Sequence, residues 1–407
     1  MITSDPIKAS LLAAEREFPL EPYLSELEKV VNIDSGTEYV EGCHQVADFF
    51  MERMKKVGLA VTRLATEESG RPILIATNTT EESYDLLFVG HMDTVFPEGT
   101  VAERPFRLNR EEGTAHGAGT IDMKGGVLFM IYLTEYLMKY HPAYRIGIFL
   151  NSDEETGSHE SKEVLIEMGH KTRYAFVFEG GRKRDQFVFQ RKGSCKYEIT
   201  IHGVSSHAGT APKAGASAIV EMGHWITKLD KLKNYRRGTS VNIGLIHGGT
   251  ALNVVPDCCT ALMEVRYTDK KEMARIERAI AKLEKHPTVK RTKGEAVCLS
   301  HIDPLCANSA TEALMNQMKS YDVIYQKELD QLSELGFLQH PDSRHAMNFV
   351  TAGGLSDANR LALCNIPIID GCGPSGGFPH NENEFISLDT LKKRYLFFTG
   401  FLPYLLG

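Results

Sequence analysis

Residues 86–93 read Leu-Leu-Phe-Val-Gly-His-Met-Asp, a short apolar run that ends in two ionisable side chains, His91 and Asp93. The same form recurs at 145–155, where an apolar run leads to Asp-Glu-Glu, and at 174–179, where one leads to Glu179. Short apolar runs that alternate with helical patterns are typical of an α/β domain with a largely parallel sheet. Because ligands bind at the carboxyl ends of strands in open α/β sheets, we expect the three polar clusters to share one site.

From about residue 191 the pattern changes to the order β-α-β-β-α-β, which is that of a ferredoxin-like unit. In this part we expect strands at 196–202, 239–247, 258–267 and 295–300 and helices at 214–229 and 270–285. The α/β character returns after about residue 305. The sequence therefore predicts an α/β catalytic domain, at 1–190 and 306–407, with a largely parallel central sheet flanked by helices. An inserted ferredoxin-like α+β domain at 191–305 interrupts it as a lid or dimerisation domain.

Composition excludes several classes of protein. The chain has 407 residues, of which 42% are hydrophobic and 24% charged, as in ordinary globular proteins. Its 46 basic and 53 acidic residues give a net charge of −7, so nucleic acid is not expected as a partner. The longest apolar run, at 127–133, is far shorter than the ~20 residues of a membrane helix, and residues 1–22 lack a signal-peptide pattern. We therefore expect a cytoplasmic protein, with reduced cysteines and no membrane contact.

The polar clusters have the composition of a metal site. His91 and Asp93 are two residues apart, so they can project to the same side, one as a ligand and the other orienting the imidazole. Asp122 lies in the glycine-rich turn 119–126, which leads into a helix. Two histidines and several carboxylates suit Zn²⁺, and the number of oxygen ligands favours two ions.

A bridging role for Asp122 makes the ligand sets complete. One ion then takes His91 and Glu179, and the other takes Glu155 and His380. Glu154 is the acidic residue of this cluster that neither set uses, so it is free to face a bound water.

These pieces occur together, in order, between about residues 30 and 385. They are Gly-His-Met-Asp-Thr-Val at 90–95, Gly-Thr-Ile-Asp-Met-Lys-Gly-Gly at 119–126, Asp-Glu-Glu-Thr-Gly at 153–157, Glu179, Ser-His-Ala-Gly at 206–209 and Gly-Gly-Leu-Ser-Asp at 353–357. In this arrangement the chain resembles the M20 family of dinuclear zinc peptidases and deacylases. Glu rather than Asp at position 179 resembles the glutamate carboxypeptidase-like branch most.

The resemblance implies a role for each matching residue. Two Zn²⁺ ions, or Co²⁺ or Mn²⁺ as substitutes, would be held by His91, Asp122, Glu155, Glu179 and His380. Glu154 matches the general base, and Asp93 matches the residue that orients His91. The peptide bond after Asp122 is expected to be cis.

In the inserted domain, His207 matches a residue that reaches the active site of a partner subunit and stabilises the oxyanion. This implies a homodimer formed through that domain. Asn253 and Arg266 match groups that hold the substrate carboxylate, which a guanidinium can grip with two parallel hydrogen bonds. The expected reaction is hydrolysis of an amide bond in a peptide or N-acyl amino acid with a free carboxylate. A metal-activated water gives its proton to Glu154, which then protonates the leaving amine.

Other interpretations stay open beside this one. The chain could be a deacylase of the acetylornithine or succinyl-diaminopimelate type, a dipeptidase of the same family, or a non-catalytic binding protein. Gly-Pro-Ser-Gly-Gly at 373–377 matches a serine-hydrolase elbow around Ser375, and 371–376 matches a dinucleotide fingerprint, but no helix is predicted after either. The cations Arg182, Lys183 and Arg184 are better interpreted as a solvated charge cluster than as contacts to an acidic substrate.

Overall fold

A computed structural model describes residues 6–182, 186–334 and 347–407, which form two compact units. The larger unit comprises Met1–Phe189, Ala307–Thr351 and Ser356–Gly407. The smaller unit comprises Gln190–Cys306 and Ala352–Leu355. The chain of the larger unit is therefore interrupted by the smaller one.

Helices and strands alternate through most of the chain. The helices are α1 Pro6–Glu17, α2 Leu20–Val31, α3 Val40–Val57, α4 Thr100–Glu103, α5 Gly125–Tyr140, α6 Lys162–His170, α7 Ala218–Asp230, α8 Lys270–Lys285, α9 Ser309–Glu334, α10 Asp357–Leu361 and α11 Leu388–Leu406. The strands are β1 Ala60–Ala65, β2 Pro72–Thr77, β3 Tyr84–His91, β4 Arg107–Asn109, β5 Thr114–His116, β6 Ile146–Asn151, β7 Thr172–Val177, β8 Phe187–Arg191, β9 Gly193–His202, β10 Ser206–His207, β11 Ser240–Gly248, β12 Val254–Val255, β13 Cys258–Tyr267, β14 Lys293–Ile302, β15 Phe349–Ala352, β16 Ile368–Ile369, β17 Gly376–Gly377 and β18 Phe385–Ser387.

The main sheet of the larger unit has six strands in the order β1-β2-β6-β3-β7-β16. Strands β6, β3, β7 and β16 run parallel to one another, whereas β2 is antiparallel to both β6 and the edge strand β1. The predicted fold class is confirmed, and the antiparallel edge is an addition to it. Because β6, β3 and β7 are adjacent and parallel, their carboxyl ends meet at the same edge of the sheet.

Helix α5 lies at the centre of the larger unit. Its run 127–133 is buried on every face, as expected for a helix that is apolar all round. The ring of Phe129 lies 5.8 Å from that of Phe178, just after β7, and 6.4 Å from that of Phe398 on α11. Since α5 begins at Gly125, this packing also fixes the turn that contains Asp122.

The smaller unit is a four-stranded antiparallel sheet in the order β11-β13-β9-β14, on which α7 and α8 pack. The predicted alternation along β9 is observed, since Tyr197, Ile199 and Ile201 are buried while the residues between them are more exposed. Asp269 caps α8 by accepting the backbone N–H groups of Lys271 and Glu272. In the described parts of both units, no helix has the length and hydrophobicity needed to cross a bilayer.

Candidate metal centre

Three strand ends of the larger unit bring polar side chains to one edge of the main sheet. His91 is the last residue of β3, Glu154 and Glu155 follow β6 in a short turn, and Glu179 follows β7. The expectation that these clusters share a site rested on parallel neighbouring strands, and the sheet order provides that arrangement.

The side chains form two groups that share Asp122. In the first group, His91 Nε2 lies 3.1 Å from Asp122 Oδ1 and 3.7 Å from Glu179 Oε1. In the second, His380 Nε2 lies 3.0 Å from Asp122 Oδ2 and 3.2 Å from Glu155 Oε2. Within each group the potential ligand atoms all lie within 4.8 Å of one another. Asp122 therefore offers one oxygen to each of two possible ions.

The charges of these two groups favour the binding of cations. Burial disfavours a charged His91, but hydrogen bonds with Asp122 and Asp93 outweigh it and raise its pKa well above the usual value. Hydrogen bonds with Asp122 and Glu155 raise the pKa of His380 to about 10. The raised pKa values reflect the negative charge of the carboxylates that face each imidazole, a charge that a divalent ion would offset. Glu155 Oε1 is buried and, among the described residues, has no hydrogen-bond partner. The donor set therefore fits two divalent cations.

Asp93 holds the surroundings of His91 in place. It is fully buried, and its carboxylate accepts hydrogen bonds from Thr37 Oγ1 at 2.8 Å and from the backbone N–H groups of Glu154 and Glu155 at 3.3 and 3.2 Å. His91 Nδ1 lies 3.0 Å from the Asp93 carbonyl oxygen and 3.3 Å from its Oδ1. One carboxylate thus links the ring of His91 to the turn that contains Glu154. Thr37 was not identified from the sequence.

The turn that presents Asp122 is held by Glu384, a residue that sequence reasoning missed. The Asp122–Met123 peptide bond is cis, as the resemblance implied. The Glu384 carboxylate accepts the backbone N–H groups of Gly119, Ile121 and Asp122 at 3.2, 2.9 and 3.1 Å. Burial, together with the charge of Asp122, raises the pKa of Glu384 to about 8. Because its partners lie more than 250 residues earlier in the chain, no local pattern indicated this role.

Close packing and unusual backbone angles constrain the loops around the site. A Cβ at Gly126 would lie 2.1 Å from the Phe178 carbonyl oxygen, so the start of α5 needs glycine to reach the end of β7. Phe378 and His380 have φ of 55° and 61°, in the left-handed region that bulky residues rarely adopt. Such conformations persist mainly where function requires them.

Glu154 lies beside the two groups without belonging to either of them. It is partly buried, and burial raises its pKa well above the usual value for a carboxyl group. A carboxyl group in this position is available to exchange a proton with a molecule bound at the site.

In the smaller unit, His207 and Asn253 are neighbours. His207 Nδ1 accepts the N–H groups of Gly209 and Thr210 at 3.1 and 3.0 Å, so the proton of a neutral ring lies on Nε2. The Asn253 carbonyl oxygen accepts the N–H of Ala208 at 2.9 Å. Both side chains are exposed. The imidazole is thus prepared to donate a hydrogen bond from Nε2, and the roles of His207 and Asn253 stay predictions.

Arg266 lies on β13, where its Nη2 forms an ion pair with Glu264 Oε1 at 2.7 Å. Its Nη1 is buried and has no hydrogen-bond partner among the described residues. The ion pair uses one side of the guanidinium and leaves the other for a further acceptor. Its role in holding a substrate carboxylate stays a prediction.

The serine-hydrolase alternative lacks its structural context. Ser375 is buried, and its Oγ donates to the Arg182 carbonyl oxygen at 3.3 Å. The short strand β17 follows it where an elbow requires a helix, and the dinucleotide fingerprint at 371–376 fails for the same reason. His380, the histidine that follows Ser375, contacts Asp122 and Glu155.

Two cavities of the larger unit border the metal-ligand groups. One, of about 480 Å³, borders Glu155 and is lined by the loops 36–39 and 94–98. The other, of about 240 Å³, borders Asp122 and Glu179 and is lined by Arg182 among others. Lys183 and Arg184, the other two cations of that cluster, lie outside the described residues. The site thus has room for a substrate beside each group.

A site with two groups of His and carboxylate ligands at the ends of parallel strands is typical of a metal-dependent hydrolase. Comparisons with known proteins agree. Residues 189–292 match the model of a peptidase dimerisation domain. The chain is 25% identical to carboxypeptidase G2 of Pseudomonas sp. (strain RS-16) over 91% of its length and 86% of that protein. It is 24% identical to a succinyl-diaminopimelate desuccinylase of Rickettsia bellii (strain OSU 85-389), covering 78% of this chain and 81% of the other.

Among solved structures, the fold is similar to that of the M20 family metallo-carboxypeptidase Sso-CP2 from Sulfolobus solfataricus. The TM-score is 0.69 at 14% identity, with 93% of this chain and 98% of the other covered. Over most of its length the chain is thus similar to the M20 family of metallopeptidases and amidohydrolases, and it is a hydrolytic enzyme.

Proposed function

We propose that this enzyme is a dinuclear zinc hydrolase that cleaves the amide bond of a peptide or N-acyl amino acid with a free carboxylate. The observation that carries the proposal is the sharing of Asp122 by two ligand groups, with Glu154 left outside both. The similarity to carboxypeptidase G2 over most of both chains supports the carboxypeptidase assignment.

In this proposal, His91 and Glu179 would hold one ion and His380 and Glu155 the other, and Asp122 would contribute an oxygen to each. Bound zinc would lower the pKa of a water molecule to ~7 and polarise the scissile carbonyl. Glu154 accepts the proton of the attacking water and then donates it to the leaving amine. Burial raises its pKa, which makes proton uptake easier than for an exposed carboxylate.

The test combines metal analysis with one isosteric variant. Glu154→Gln should bind two zinc ions per chain and lose at least ~10²-fold in kcat, because it cannot carry the proton. Glu163→Gln is the matched control, since Glu163 is an exposed glutamate on α6. Full activity of the Glu154 variant, or a capacity for fewer than two ions, would refute this mechanism.

We also propose that the enzyme is a homodimer, joined through the smaller unit, in which His207 acts on the partner's site. The match to a peptidase dimerisation domain supports this assembly. Exposed apolar residues on α7 and β11 offer a surface for it, namely Ile219, Val220, Leu245 and Ile246.

Complementation tests the action of His207 across the dimer. Glu154→Gln and His207→Ala dimers, each inactive, are dissociated, mixed in equal amounts and allowed to reassociate. If His207 acts in the partner's site, about a quarter of wild-type activity should return, since half of the dimers are mixed and each has one complete site. Absence of recovered activity in dimers verified by light scattering would contradict the proposal.

A deacylase acting on N-acyl amino acids is the second candidate, because the relatives include a desuccinylase. The same residues would perform that reaction. A panel of N-acyl amino acids, glutamyl amides of aromatic acids and dipeptides separates the candidates by the ratio of kcat/KM values.

A further inference from the structure

The cavity beside the first ligand group contains an arginine that the proposed reaction does not use. This cavity, of about 240 Å³, is lined on one side by Asp122 and Glu179 and elsewhere by Arg182 and the segment Gly376–Pro379. Arg182 lies three residues after Glu179. The cavity is therefore close enough to the metal-ligand groups to receive part of a substrate held there.

Arg182 is the unusual member of this lining. Its side chain is partly buried, and its Nε is buried without a hydrogen-bond partner. Within the described residues its guanidinium forms no ion pair and donates no hydrogen bond. By contrast, the buried Arg394 donates to the carbonyl oxygens of Gly371 and Gln186. Burying a donor without an acceptor costs free energy, so a ligand that supplies an acceptor would stabilise the Arg182 side chain.

The backbone around Arg182 fixes where the side chain starts. The Arg182 N–H donates to the Gln186 carbonyl oxygen at 3.0 Å, and the Gln186 N–H donates back at 3.3 Å. Just before it, a Cβ at Gly181 would lie 2.4 Å from Ser375 Oγ, so the two loops are in close contact. These contacts hold the backbone at Arg182 in place, so less backbone ordering would be needed when a ligand binds the guanidinium.

The remaining wall of the cavity is apolar. Phe378 is 60% exposed, although it is an aromatic residue held at positive φ. A site with one guanidinium and an apolar wall matches a carboxylate at the end of a short methylene chain. An amide or hydroxyl would leave the positive charge of Arg182 uncompensated.

We propose that Arg182 binds a second carboxylate of the substrate, so that the enzyme selects dicarboxylic N-acyl amino acids or peptides over their monocarboxylic analogues. This substrate class rests on the proposed function. It also gives Arg182 a different role from the solvated charge cluster that the sequence favoured. The second carboxylate could belong to the amino acid, as in N-acetyl-L-glutamate, or to the acyl group, as in N-succinyl-L-alanine. Both present the same chemistry to Arg182.

Calorimetric binding to the zinc-loaded Glu154→Gln dimer tests the proposal without turnover. The probes are N-acetyl-L-alanine, N-acetyl-L-glutamate and N-succinyl-L-alanine. We expect one dicarboxylate to bind about 10- to 100-fold more tightly than N-acetyl-L-alanine, and this ratio to fall to near one when Arg182→Gln is added. Arg182→Lys keeps the positive charge but cannot form two parallel hydrogen bonds with a carboxylate, so it should give an intermediate ratio.

The matched control is Arg173→Gln, which removes an exposed arginine near the start of β7, at the end of the strand far from Glu179. It should leave the ratio at its starting value. The dicarboxylate whose ratio depends on Arg182 reveals which side of the amide the cavity receives.

Two results would overturn the proposal. In one, neither dicarboxylate binds more tightly than N-acetyl-L-alanine. In the other, Arg182→Gln and Arg182→Lys leave the ratio unchanged while zinc content and thermal unfolding match the parent. A dicarboxylate could also bind tightly in an Arg182-dependent way and yet never be hydrolysed by the wild-type enzyme. That result would count against the proposed reaction alone. The role of Arg182 and the proposed reaction can therefore be refuted independently.

Discussion

Replacing Glu384 with alanine should weaken the metal site although Glu384 is not a proposed ligand. Its carboxylate accepts three backbone N–H groups from the turn that presents Asp122, and it is 1% exposed. Each buried donor left unpaired costs about 1–3 kcal/mol. Water entering the vacated space would satisfy part of this, so we expect a loss of about 3–5 kcal/mol in the free energy of unfolding. At about 2–4 °C per kcal/mol, the Tm should fall by roughly 6–20 °C.

The assay pairs thermal unfolding with zinc titration of the metal-free protein. Because the turn positions the oxygen atoms of Asp122 for both ligand groups, Glu384→Ala should bind zinc at least about 10-fold more weakly, the usual effect of losing a partner of a metal ligand. Glu384→Gln keeps an oxygen for two of the three N–H groups and places its NH₂ against the third, so it should lie between alanine and wild type. Glu382→Ala is the control, since Glu382 is exposed in the same loop.

One result would refute this reasoning. If Glu384→Ala retained both the Tm and the zinc affinity of Glu382→Ala, the three hydrogen bonds would not be what holds Asp122 in place.

Three further outcomes are expected. Thr37→Val removes the 2.8 Å hydrogen bond to Asp93 and should weaken zinc binding about 10-fold, as measured by titration, while exposed Thr80→Val should not. Burial raises the pKa of Asp357 to about 7, so the folded protein keeps a proton that the unfolded chain releases near pH 4. The stability due to this group therefore falls as pH rises from about 4 to 7, and Asp357→Asn should flatten the decline of Tm between pH 5 and 8; an unchanged slope would contradict this. Removing metal with a chelator should lower the Tm, and added zinc should restore it, because the ions bind the folded state.

The sequence predicts the part of the site that depends on strand ends. His91 ends β3, whereas Glu155 and Glu179 follow β6 and β7, and parallel neighbouring strands must bring their carboxyl ends to one edge. Asp122 and His380 come from loops, so no periodicity placed them, and their assignment depended on the motif pattern as a whole. The roles of all five as metal ligands stay predictions.

Other features had no local sign in the sequence. Thr37 and Glu384 act through hydrogen bonds to residues far away in the chain, and a lone Thr or Glu in a polar loop gives no indication of its partner. The sequence also could not predict that β2 is antiparallel to its neighbours, because a short apolar run has the same pattern in a parallel and in an antiparallel strand. The strand β1 is largely exposed, so it lacks the apolar pattern that identified the others.

The return of the chain to the larger unit has a consequence for biosynthesis. The N-terminal part of a chain leaves the ribosome first. The first ligand group, His91, Asp122 and Glu179, therefore emerges long before His380 and Glu384. Most of the smaller unit is one continuous segment, Gln190–Cys306, and it can fold during that interval. A chain that stops there contains the first ligand group and lacks the histidine of the second. In the proposed metal centre, the second ion would therefore bind only after His380 has been synthesised.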